Sequence, residues 1–209
     1  MRRLLIAALL TLGVCTFAVT AHAQDTSAPA RTQGGPVPDL SQVDQQGFSL
    51  TEFQRIVRGF RIAPVPLDLR GKDLALVGLG SYIVNSQGGC NDCHTNPPFA
   101  PGGDPHMGQP KQINAERYLA GGTSFGPVTS RNLTPYGAGG KPANLTFEEF
   151  RRVLRTGVDL KHLEPHVPSD DQDLLQVMPW PIYREMLDHD MRAIYEYLRA
   201  IPVRQGFPQ

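Results

Sequence analysis

The 209-residue sequence predicts an all-α fold with long irregular loops rich in glycine and proline. Several stretches repeat apolar residues at helical spacing, and none alternates as a half-buried strand would. The third observation is the run Cys90-Asn91-Asp92-Cys93-His94, which gives those helices something to gather around. The pattern C-x-x-C-H is the attachment site of a c-type haem. Its two thiols can bond to vinyl groups of one porphyrin, and the histidine directly after the second thiol then sits under the iron. The expectation is a small helical domain wrapped around one haem c, bound through thioethers at Cys90 and Cys93, with His94 on the metal.

The N-terminus supports an exported protein. Met1-Arg2-Arg3, an apolar run from Leu4 to about Val19, and Ala21-His22-Ala23 read as a signal peptide over 1–23, cleaved after Ala23. An uncleaved anchor helix is the alternative. Cleavage removes Cys15, so the mature chain keeps only Cys90 and Cys93, and no disulfide framework is available. A simple disulfide between these two, or a redox-active C-x-x-C, is the alternative; a thioredoxin-like site would need a surrounding βαβ pattern that the sequence lacks. Without Arg2 and Arg3 the mature chain has 18 basic and 20 acidic groups, a net charge of −2. No basic block suggests nucleic acid. No second apolar run of about 20 residues suggests a membrane span. A periplasmic, soluble product is expected.

Residues 24–47 are rich in Gln, Pro, Ser, Ala and Gly and read as a flexible leader. Thr51 to Gln54 has capping-box spacing, and Phe53, Ile56, Val57 and Phe60 share one helical face, with Gly59, Pro64 and Pro66 as terminators. This places an N-terminal helical arm over 48–71, ahead of the main domain over 72–204. The next helix is expected from Asp73, its cap, to about Asn85. Gly78 and Gly80 inside it read as points where another helix approaches closely, since each otherwise costs about 1 kcal/mol against alanine. Pro97 to Pro142 is dense in Gly and Pro and predicts irregular chain, unusual at this length unless it packs on something. Thr146 and Glu149 repeat the capping-box spacing, Phe147, Phe150, Val153 and Leu154 form the apolar face, and Gly157 stops the helix. A turn or two is expected over 181–187. Met191, Ile194, Tyr195 and Leu198 then mark a closing amphipathic helix from about Asp188 to Pro202.

What fills the sixth position of the iron separates a carrier from an enzyme. The sequence offers Met107, Met178, Met186, Met191, His106, His162, His166 and His189. Met178 is the expected ligand: Pro179 and Pro181 stiffen its backbone, Leu174, Leu175 and Val177 can seal a pocket, and a thioether suits Fe(II). Met191 and Met186 are in phase with core packing, and His106 and His189 sit in polar stretches. His162 and His166 with the two cysteines resemble a zinc site, but 68 residues lie between Cys93 and His162, against about 12–15 in finger-type sites. Arg131, Asn132, Thr134, Tyr136 and Trp180 are candidate partners for the haem propionates.

These residues resemble the class I cytochrome c family over about 72–202. The likeness rests on the Gly/Tyr helix before Gly89-Cys90-Asn91-Asp92-Cys93-His94, on Met178-Pro179, and on Leu187 to Leu198 as closing helix. Ala120-Gly121-Gly122, Ser130 to Pro135 and Phe150 to Gly157 are similar to one domain of the cytochrome subunits of membrane-bound alcohol, aldehyde and gluconate dehydrogenases. The resemblance implies a cytochrome c-type helical domain with one haem ligated by His94 and Met178, shuttling single electrons. Those subunits carry three haem motifs and this chain has one, so donor and acceptor do not carry over. The expected function is that of an exported mono-haem electron carrier between redox partners, a dehydrogenase or a terminal oxidase. The alternatives are an electron-transfer subunit docked on a periplasmic dehydrogenase, and a haem enzyme with an open sixth position.

Overall fold

The computed structural model describes residues 36–41, 49–160 and 173–206. The expected signal peptide, most of the leader, and His162 and His166 lie outside the described residues.

Three helices cross to form the core. The first, α1 (Leu50–Ile62), is capped by Ser49, whose hydroxyl accepts the Glu52 amide at 3.2 Å. Thr51 was the expected cap, yet it lies inside the helix. Gly59 does not end α1 either. It lies where α1 meets α2 (Leu74–Tyr82), and a methyl group on it would fall 1.8 Å from the Gly78 carbonyl oxygen. Asp73 caps α2 as expected, accepting from Ala75 and Leu76. On the other side of α2, a methyl on Gly80 would fall 1.9 Å from the carbonyl oxygen of Ala193, in the closing helix α6 (Asp188–Ala200). The glycines of α2 therefore mark two close crossings, with α1 and with α6. Ile56 and Phe60 of α1, Val77 and Leu79 of α2, and Met191, Tyr197 and Leu198 of α6 are all buried in one cluster.

That core also holds polar groups. The Tyr118 hydroxyl bonds Asn85 Oδ1 at 2.6 Å and the Tyr197 hydroxyl at 2.9 Å. Asn85 Nδ2 donates to the Ser81 carbonyl at 2.9 Å, and the Ser81 hydroxyl donates to the Gly59 carbonyl at 2.7 Å. Burial raises both tyrosine pKa values, so both rings stay neutral. Each buried polar atom in this set has a partner, which is the condition for such a network to stabilise rather than cost.

α2 does not run as one α-helix to Asn85. It widens into a π-turn over Ile83–Gln87, and Gly89 at φ 60° turns the chain into α3 (Cys90–His94). The expected irregular stretch contains two small antiparallel hairpins, β1 (Ser124–Phe125) with β2 (Val128–Thr129) and β3 (Pro135–Tyr136) with β4 (Lys141–Pro142). Among the described residues the fold is thus mostly helical, with four very short strands. The stretch packs inward: Tyr118, Leu119 and Ala120 are buried, and the Leu119 amide donates to the Thr95 hydroxyl at 2.9 Å.

The helix α4 (Phe147–Thr156) begins with the expected capping box between Thr146 and Glu149 and ends at Gly157, φ 72°. A short α5 (Trp180–Tyr183) precedes α6. Arg155 ties the two together, with hydrogen bonds to the Arg184 carbonyl and to Asp188. Among the described residues no helix is long and apolar enough to cross a membrane.

Candidate functional site

Cys90, Cys93 and His94 all come from α3 and line one cavity of about 910 Å³, at the upper end of the usual range for ligand pockets, about 300–1,000 Å³. One turn of helix brings the two thiols and the imidazole onto the same wall. The cysteines are not paired with each other. Burial pushes the Cys90 thiol up to about 12 and the Cys93 thiol above its ordinary value, so both are neutral thiols at neutral pH.

His94 is oriented from behind. Its Nδ1 lies 2.7 Å from the carbonyl oxygen of Arg131. A carbonyl only accepts, so Nδ1 carries the proton and Nε2 is left with its lone pair. Burial also lowers the His94 pKa, which keeps the ring neutral. The loop reaches this position because the Gly121 amide donates to the His94 carbonyl at 2.7 Å and the Gly122 amide to the Ser130 carbonyl at 2.9 Å. A methyl on Gly121 would meet Ser130 O at 2.5 Å, so glycine is what lets the two arms of this loop close up.

Met178 lines the same cavity, partly buried, with Leu174, Leu175 and Val177 beside it. Met186 lines it as well, although its spacing suggested only core packing. Met191 is fully buried in the core, as its phase predicted. Met107 is 74% exposed and His106 and His189 are exposed, and none of the three lines the cavity.

The expected propionate partners mostly face elsewhere. Asn132 and Thr134 bond the Arg204 backbone, Tyr136 donates to the Ala143 carbonyl, and Trp180 Nε1 donates to the Leu175 carbonyl. None of these four lines the cavity; Arg131 does. Its guanidinium is held by Asp159 through two hydrogen bonds of 2.5 Å each. Sequence reasoning missed Asp159, and it missed Tyr183, which lines the cavity and whose hydroxyl donates to the Gly88 carbonyl at 2.6 Å. Neither carries a local motif that would have flagged it.

The cavity suits a flat apolar group that carries a metal. Val128, Leu174 and Val177 line it, yet are each about two-fifths exposed, so they present apolar surface to an open space. A neutral histidine whose far nitrogen is fixed by a carbonyl is the usual state of a metal-ligating imidazole. Two unpaired thiols on the same wall, methionines from a distant segment (Met178 and Met186), and this apolar lining together match haem c.

Comparisons with known proteins agree at the level of class: the chain is similar to cytochrome c subunits of dehydrogenases. It is 29% identical over 156 residues to the cytochrome c subunit of the quinone alcohol dehydrogenase of Gluconacetobacter polyoxogenes, covering 72% of this chain and 26% of that protein. The gluconate 2-dehydrogenase cytochrome c subunit of Pantoea cypripedii is 29% identical over 134 residues, 63% of this chain and 25% of its own length. The fructose dehydrogenase cytochrome subunit of Gluconobacter japonicus is 31% identical over 125 residues, 58% of this chain and 20% of its own length. The chain thus spans about a quarter of the first of these relatives. No protein-family model matches it, and no solved structure matches it.

Proposed function

We propose that this chain is an electron-transfer subunit that works with a dehydrogenase, holding one haem c through Cys90 and Cys93 with His94 and Met178 as axial ligands. The observation that carries the reading is a single apolar cavity lined by all four residues. The relatives favour this reading over a free-standing carrier, because all three are named as parts of dehydrogenases.

Cys90 and Cys93 would hold the haem through thioethers, each thiol giving one S–C and one C–H bond across a vinyl group, so attachment would consume no oxidant. The bound haem supplies a one-electron Fe(III)/Fe(II) couple. His94 Nε2 is kept unprotonated and aimed by the Arg131 carbonyl. Met178, lining the same cavity, would supply the second ligand to the iron, which would leave no position open for a substrate. Leu174, Leu175 and Val177 would give the bound group an apolar face to pack against. The predicted signal over 1–23 would deliver the chain to the periplasm, where a dehydrogenase partner meets it.

Spectroscopy tests the reading. Protein secreted with intact maturation machinery should carry one haem per chain and show a methionine-to-iron band. Met178→Ala should abolish that band and let CO bind rapidly to the reduced form, while Met186→Leu keeps it. Colourless protein would end the haem reading. A band that survives Met178→Ala would move the ligand to Met186, and rapid CO binding by the unaltered protein would favour the enzyme alternative.

A further inference from the structure

We propose that Asp159 is a positioning residue for the His94 ligand, acting through Arg131. The inference rests on the haem reading above and adds a control on the ligand's electron donation.

Arg131 has two jobs. Its carbonyl accepts the His94 Nδ1 proton at 2.7 Å, and its guanidinium makes a two-pronged pair with Asp159 at 2.5 Å on each arm. Both side chains are mostly buried, 23% and 13% exposed, and both line the cavity. A two-pronged guanidinium–carboxylate pair fixes direction as well as distance. Asp159 is itself anchored. Its amide donates to the Asp173 carbonyl at 2.8 Å, and the Leu175 amide donates to the Gly157 carbonyl at 2.8 Å. Val158 and Leu174 form an antiparallel bridge between these bonds. That short ladder leads directly into Leu175 to Met178. The ion pair therefore joins the segment supporting the Met178 side to the loop that aims His94.

The consequence is electronic. A firm Nδ1–H···O bond makes the ligating nitrogen more basic, and a more basic ligand favours the ferric state. Loosening Arg131 weakens that bond and favours the ferrous state, so the midpoint potential rises. Asp159→Asn has a second effect of the same sign, because it leaves the Arg131 cation uncompensated beside the cavity. Arg131→Lys separates the two effects. It preserves the charge but replaces the rigid fork with a single flexible ammonium, so any rise in its potential reports positioning alone.

The test is redox titration of the haem-loaded protein, with haem content and the methionine-to-iron band recorded for each form. Asp159→Asn should raise the ferrous-to-ferric ratio at a fixed applied potential about tenfold, which is about 59 mV for a one-electron couple. Arg131→Lys should give a smaller rise of the same sign, and Asp159→Glu should recover part of the shift. Haem content and the band should match the parent in all three. An unchanged potential in Arg131→Lys with full haem overturns the proposal, even if Asp159→Asn fails to mature. A potential that falls in Asp159→Asn overturns it as well. Failure of the haem reading is distinguishable, because the parent protein would then lack the haem or the band.

Discussion

Replacing Gly80 with alanine should destabilise the protein, although alanine is the better helix former. In an unobstructed helix this change gains about 1 kcal/mol. Here the added methyl would lie 1.9 Å from the Ala193 carbonyl oxygen, 2.4 Å from its carbon and 2.8 Å from Tyr197 Cβ. Ordinary carbon–oxygen approach is about 3.3–3.6 Å, so α6 must retreat by roughly 1.5 Å from α2. The obstacle is main chain and cannot rotate away. Overpacking of this kind costs about 1–3 kcal/mol. A gap of about 1 Å elsewhere along the interface forfeits up to about half of each contact's dispersion energy. With the upper end of that range set against the helix gain, the net loss is about 2 kcal/mol. For a chain of this size that lowers Tm by about 4–8 °C. Thermal unfolding followed by far-ultraviolet circular dichroism, at matched haem content, measures it. Ala193→Gly should not rescue the variant, since the clash is with the Ala193 carbonyl and not its methyl. A Tm equal to or above the parent's would refute the backbone-to-backbone crossing.

Gly157→Ala should cost about 2 kcal/mol, because the position has φ 72° and a methyl would lie 2.3 Å from the Trp180 ring. Trp180 is the sole tryptophan, so its emission should shift to the red; unchanged emission would place the ring elsewhere. Tyr183→Phe removes the bond to the Gly88 carbonyl and should lower stability by about 1 kcal/mol. On the proposed ligation it should also speed displacement of Met178 by imidazole, and an unchanged exchange rate would deny Tyr183 any part in holding the ligand segment in place. Glu149 has its carboxyl pKa lowered by the backbone hydrogen bond to Thr146. The cap should therefore contribute fully above the ordinary carboxylate value and be lost as pH falls through the lowered one. Glu149→Gln should flatten that part of the acid-side stability profile, and an unchanged profile would mean the carboxylate carries none of it.

The local signals in this sequence were legible and the long-range ones were not. Asp73, the Thr146–Glu149 box and Gly157 could be read because a cap is decided by residues within one turn. The first cap was misplaced for the same reason that it was visible: Ser49 and Thr51 are both acceptable caps, and only the folded chain chooses Ser49. Gly59 looked like a terminator, because a glycine required for close approach and one required for a turn are the same letter. Tyr118, Asn85 and Tyr197 are far apart in the chain, and no periodicity announces that their polar atoms meet. At the site, the C-x-x-C-H run and Met178 could be singled out from the sequence, and the fold brings them to one cavity. The support for His94 did not, since any residue's main-chain carbonyl could occupy that place. Only the fold shows that it belongs to Arg131.

The two crossings of α2 bear directly on the site. Backbone contact at Gly59–Gly78 and at Gly80–Ala193 leaves α2 little freedom to slide against α1 or α6. Its end then opens into the π-turn over Ile83–Gln87, a feature that is frequent at functional sites. The Gly88 amide closes that turn on the Ile83 carbonyl at 2.7 Å, two residues before Cys90. Asn85 sits within the turn and is held by Ser81, Tyr118 and Tyr197. The residue after Tyr118 is Leu119, whose amide is bonded by Thr95, next to His94. Both ends of α3 are therefore tied to one buried polar network, and that network hangs on the helix crossings. On this view the buried tyrosines and Asn85 do more than satisfy one another. They set the register of a five-residue helix too short to hold its own position, and with it the placing of Cys90, Cys93 and His94.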